Sequence, residues 1–194
     1  NEDSEKTRSA SILQKIAQNA EAAKAMYQTL AKDDFSVAEM ILFVSAPQAF
    51  ANLASAFDHA DDTSKANVTN KIFNTETLKV ILEKLELTKE FVTNFADKAT
   101  LDADHAKNVA TVFAGMSDVS KYPQLNRFLG SKKIREALIS ADADVSMILA
   151  GNPYVILLLS YMVKDPAEDN SQNPLSDEQK TAAETLLKNI AKHN

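Results

Sequence analysis

The chain has no cysteine, no tryptophan, only 3 glycines and 5 prolines. Without cysteine there is no disulfide framework, no thiol nucleophile and no thiolate metal site. The glycines, Gly115, Gly130 and Gly151, stand too far apart for a phosphate-cradling loop, so neither a dinucleotide fingerprint nor a P-loop is present. No alternating strand pattern appears anywhere, and so few turn formers suit helices joined by short connections. Acidic residues outnumber basic ones, 27 to 21. The net charge is −6 and the densest basic group is Lys132, Lys133 and Arg135, which argues against nucleic acid as a partner. No apolar run approaches the roughly 20 residues of a bilayer span.

What is there is ordinary for a globular chain. At 194 residues, with 45% hydrophobic and 25% charged residues, it can build one domain with a sizeable core. The most apolar stretch runs from Asn152 to Val163, NPYVILLLSYMV. Asn152 can cap a helix and Pro153 fits its first turn. Gly151 can end the preceding helix through positive φ. Every residue from Tyr154 to Val163 except Ser160 is apolar or aromatic. A helix apolar on nearly all sides is buried on nearly all sides, so 152–164 is expected to be the buried central helix.

The rest reads as amphipathic helices with start signals. Residues 1–8 are polar and expected to be flexible. Residues 9–31 carry Ile12, Leu13, Ile16, Tyr27 and Leu30 at helical spacing. Ser36 with Glu39, Ser45 with Gln48, and Ser176 with Gln179 have the spacing of capping boxes. Asn74 or Thr75, Thr88, Thr100 or Asp102, Ser131, and Asp142 or Asp144 mark further starts. Residues 165–174, DPAEDNSQNP, lack apolar periodicity and read as a flexible internal loop, and 176–192 as the C-terminal helix. The expectation is a single all-α domain over 9–194, with roughly ten short helices.

Three segments also align without gaps. Val37, Met40, Ile41, Val44 and Phe50 match Leu78, Ile81, Leu82, Leu85 and Phe91, and these match Ile134, Ala137, Leu138, Ala141 and Met147. Each segment is a short helix, a turn and a second short helix, which resembles the stacked helical pairs of HEAT or armadillo proteins. Any two amphipathic hairpins align in this manner too. Either origin gives an all-α domain.

Chemistry-bearing residues are sparse. His59 lies with Asp58, Asp61 and Asp62, and His105 with Asp102 and Asp104. If the two clusters met they would form a carboxylate–imidazole metal site. The simpler reading is two polar helix ends, so neither a metal nor a cofactor is assigned. No serine sits in a nucleophile elbow and no pair of acids is singled out, so no catalytic residue is assigned.

The expected function is a non-enzymatic protein–protein interaction module. The alternatives are a helical bundle holding a lipid or other apolar ligand, and a hydrolase whose catalytic acids are invisible without the fold. YPQLNRF supplies the expected contact residues Tyr122, Arg127 and Phe128, types enriched at interfaces. Another protein is the expected partner, with no nucleic acid and no membrane span. A chain starting at Asn1 fits a mature secreted protein, and an extracytoplasmic location is the expectation.

Overall fold

The structure is a computed structural model and describes residues 8, 11–12, 14–16, 18–46, 48–164 and 175–193. The expected flexible segments 1–8 and 165–174 fall outside these residues, apart from Arg8. Among the described residues there is no strand. The helices are α1 (Ala20–Ala31), α2 (Val37–Val44), α3 (Ala49–Phe57), α4 (Asp62–Ile72), α5 (Thr75–Glu83), α6 (Leu85–Asn94), α7 (Ala103–Ala114), α8 (Tyr122–Gly130), α9 (Lys132–Ser140), α10 (Asp142–Ala150), α11 (Pro153–Lys164) and α12 (Asp177–His193). One-turn 3₁₀ helices, Ala96–Lys98 and Val119–Lys121, precede α7 and α8.

Local chemistry sets most of these boundaries. Ser36 Oγ accepts from the Glu39 N–H at 3.2 Å, and the Glu39 carboxylate accepts from the Ser36 N–H at 2.7 Å. This closes the expected capping box. Asn19 caps α1 through a bond from the Ala22 N–H, and its extended backbone interrupts the helix expected over 9–31. Ser131 caps α9, and Ser176 with Gln179 closes the box before α12.

Four expected signals fail. Neither Asp142 nor Asp144 caps α10, whose N-cap is Ala141 with no side-chain bond. Ser45 ends α2 and makes no box with Gln48, whose backbone is left-handed at φ 60° with no side-chain cap bond. Thr88 does not start a helix. α6 begins at Leu85, and the fully buried Thr88 hydroxyl donates to the Ile81 carbonyl at 2.7 Å. Gly151 keeps φ −68°, so positive φ plays no part there. α10 ends before Asn152, where the following Pro153 disfavours helical backbone.

The helices form two rows. In one, α2 packs on α5 and α5 on α7; in the other, α3 packs on α6 and α6 on α8. α1 and α4 cover the first end. At the other end α9 and α10 both lie against α7, while α12 packs on α8, α9, α10 and α11. The first two aligned segments are therefore stacked neighbours. The third is not the next layer, because α7 and α8 stand there, so the HEAT- or armadillo-like arrangement is not established.

The core is held at its centre by phenylalanine rings. Phe91, on α6, is fully buried, with centroids 5.2 Å from Phe50, 5.4 Å from Phe73, 5.5 Å from Phe128 and 6.4 Å from Phe95. The chain of rings continues through Phe57 to Tyr27, whose hydroxyl donates to the Leu53 carbonyl at 2.8 Å. Burial, with Asp58 nearby, pushes the Tyr27 phenol far above its ordinary pKa, so it stays a donor.

α11 is not the buried centre that its composition suggests. It packs on α10 and α12, and these cover only one side. Val155, Leu158, Leu159 and Met162 are buried, whereas Tyr154, Leu157, Tyr161 and Val163 are exposed. The anchoring of its start runs deeper than a cap. Asn152 is 7% exposed; its Oδ1 accepts from the Tyr154 N–H at 2.8 Å and its Nδ2 donates to the Ala114 and Met116 carbonyls, both at 2.7 Å. One amide thus joins the end of α7 to the start of α11.

The near-isosteric change Asn152→Asp turns that donor into an acceptor facing two carbonyl oxygens. The expected loss at pH 7 is about 2–4 kcal/mol, from two unsatisfied buried acceptors and a poorly solvated charge. The carboxyl would titrate above its unfolded value, so the deficit relative to wild type should shrink as pH falls towards 4. Denaturant melts at pH 7 and pH 5 measure this, and equal stability of the two proteins at pH 7 would show that the bonds do not hold the corner.

Candidate interaction surface

The two histidine–acid clusters do not meet. Among the described residues, no group of three or more His, Asp or Glu gathers where a metal could be held. His59 is exposed at the end of α3. His105 is 7% exposed and its ring packs edge-on to Phe73. Its Nε2–H donates to Asn70 Oδ1 at 2.8 Å. Its Nδ1 lies 3.1 Å from the Asp102 N–H and 2.8 Å from Asp102 Oδ1. With the ring proton on Nε2, Nδ1 accepts from that N–H and closes a capping box at the start of α7, with Asp102 accepting from the Asp104 and His105 N–H groups.

Helix starts also account for most of the acids whose pKa is displaced. The carboxyls of Glu39, Asp61, Asp102, Asp118 and Glu178 are all held below their usual range, chiefly by hydrogen bonds at helix starts: from the N-cap Ser36 N–H for Glu39, from first-turn N–H groups for Asp61 and Asp102, and from neighbouring Ser side chains for Asp118 and Glu178. Asp142 is lowered first by His193 and then by Lys192, which tie the end of α12 to the start of α10.

The expected contact segment is less available than its composition suggests. Phe128 is 1% exposed and stacks against Phe91 and Phe113, so it is a core residue and not a surface anchor. It lies on the inward face of α8 with Leu125 and Leu129. Tyr122 is half-buried and packs against the core, and Arg127 is also half-buried.

Leu42 on α2 and Met147 on α10 are strongly exposed but stand singly, whereas α11 carries three exposed large side chains on one stripe. Tyr154 is 45% exposed, Leu157 41% and Tyr161 53%. Their spacing of three and then four residues puts them on one stripe. Lys164 continues it one turn further and is exposed. The opposite stripe, Val155, Leu158, Leu159 and Met162, seats the helix on its neighbours. Both stripes are apolar, so hydropathy alone cannot separate them. The usable signal is the two tyrosines, whose hydroxyls suit a half-wet site.

A second feature is an open groove of about 730 Å³ between α9 and α12. Lys132, Arg135, Glu136, Asp177 and Glu178 line it, over Ile139 and Ala182. Its charges are mixed, and Arg135 is engaged with the Leu129 and Gly130 carbonyls. No protein-family model, curated protein or solved structure matches the chain.

The capping carboxylates set the acid response. Their folded pKa values are lowered, so the stability they add is complete above the unfolded values near 4 and is lost as pH falls through the folded ones. Melting temperature is expected to drop as pH falls below about 4. Asp102→Asn keeps an acceptor but does not titrate, so it should melt near wild type at pH 7 and fall less steeply in acid. An unchanged acid slope in this variant would contradict the role given to Asp102.

Proposed function

We propose that the chain is a non-enzymatic, all-helical protein–protein interaction module that presents the outward face of α11 to its partner. The observation that carries this reading is the stripe of Tyr154, Leu157 and Tyr161, three large side chains left open on one ordered helix. Contiguous exposed apolar surface marks contact sites, and tyrosine is enriched among residues that dominate binding. Tyr122 and Arg127 remain a second, smaller proposed contact on α8.

The two alternatives have less support. An apolar-ligand bundle needs an enclosed apolar space, whereas the rings of this core fill it against one another and the α9–α12 groove is open and charged. A hydrolase with unrecognised acids needs displaced carboxyls converging in a cleft, whereas those described here cap helices or bridge helix ends.

Site-directed photocrosslinking tests the proposal. A benzophenone side chain replaces Leu157, and a control places it at Lys79, which is exposed on α5. Both proteins are irradiated in extract of the source cells. Adducts are expected at 157 and not at 79, competed by excess unlabelled chain and lost when Tyr161 is also changed to Lys. No adduct at 157, or the same adducts at both positions, would overturn the assignment of this face.

A further inference from the structure

Resting on that reading, we propose that α11 docks against α11 of a second copy of the chain, the two helices antiparallel about a two-fold axis. The first ground is the pattern itself. Tyr154 stands three residues before Leu157, and Tyr161 stands four after it. The stripe is nearly the same read in either direction. An antiparallel mate sets Tyr154 of one copy against Tyr161 of the other and brings the two Leu157 side chains together near the axis. A two-fold interface requires such a self-complementary surface. The spacing is that of a seam along which one helix packs on another.

Charge gives the second ground. The chain carries a net charge of −6, so two copies approaching at random meet acid against acid. α11 contains no Asp or Glu, and Lys164 is its one charged residue. Antiparallel pairing sends the two Lys164 side chains to opposite ends of the seam, whereas parallel pairing would bring them together. The helix itself thus brings no acidic side chain to a contact between two acidic chains. An unrelated partner helix would fit the apolar stripe equally well, but it is not required to carry a palindromic pattern.

Area sets the strength. A stable interface removes roughly 800 Å² per partner, and a seam of about two helical turns supplies less than that. The pairing is therefore expected in the high-micromolar range, visible only in concentrated solution.

Sedimentation equilibrium of the whole chain, from about 1 μM to 1 mM, reads the result directly. Wild type is expected to shift from monomer to dimer across that range. Leu157→Glu and Leu157→Lys should each stay monomeric, with wild-type helical circular dichroism. Mixing the two should restore the dimer, because residue 157 then faces an opposite charge across the axis. Tyr161→Lys serves as a second disrupting variant if either of these is poorly folded. A wild type that stays monomeric at 1 mM overturns self-pairing, as does a dimer that survives all three changes. Failure of mixing to restore association removes the antiparallel two-fold geometry and with it the proposal. If the chain is monomeric while Leu157 still crosslinks a different protein, the face remains an interaction surface with another occupant; if both assays are negative, both readings fall.

Discussion

The contact that the rest of this fold depends on is the meeting of Phe91 with Phe50, Phe73, Phe95 and Phe128. Each ring comes from a different place along the chain: α3, the end of α4, the end of α6 and α8. The ring of Phe91 thus ties α6 to its row neighbours α3 and α8 and to the end of α4. Such pairs add about 0.5–1.5 kcal/mol each beyond the area they bury. Truncation at a site of this kind costs about 3–5 kcal/mol, a large share of the 5–15 kcal/mol stability of an ordinary domain. Phe128 belongs to this interior for the same reason: it fills the space between Phe91 and Phe113.

With that position held by α6, α11 falls to the rim of the molecule. Its inner stripe has α10 and α12 to pack against, and its outer stripe has no helix over it among the described residues. A soluble helix ordinarily carries polar residues on its open side. Here the open side carries two tyrosines and a leucine, at a cost in solubility that a contact surface would offset. Asn152 holds the start of this helix to the end of α7, so the stripe is presented on an anchored element. A pre-positioned surface loses less freedom on binding than one that must first become ordered.

Much of the architecture was legible in the sequence because helix signals are local. Ser36 with Glu39, Asp102, Ser131 and Ser176 with Gln179 act within one turn of themselves, and each forms its bonds as the spacing implies. The failures have a common cause. Thr88 resembles a helix start, but burial directs its hydroxyl to Ile81. Ser45 and Gln48 have the right spacing, but the tight turn puts Gln48 in left-handed backbone. Asn152 was readable as a cap, yet its two bonds to the end of α7 span more than thirty residues of sequence. The outer face of α11 was hidden by its own composition: when both stripes of a helix are apolar, only the count of neighbouring helices decides which one is covered.

The most direct test compares two adjacent leucines of α11. Leu157 is 41% exposed and Leu158 is 1% exposed. Leu158→Asp places an unpaired charge in the interior, which costs several kcal/mol, so its cooperative melt should be lost or moved far below wild type. Leu157→Asp adds a charge to a surface and should melt within a few degrees of wild type. Thermal unfolding of both variants, followed by circular dichroism at one pH, would read the difference. Collapse of both proteins would show that α11 is buried on both sides. Tolerance of both would show that it is not packed on α10 and α12 at all.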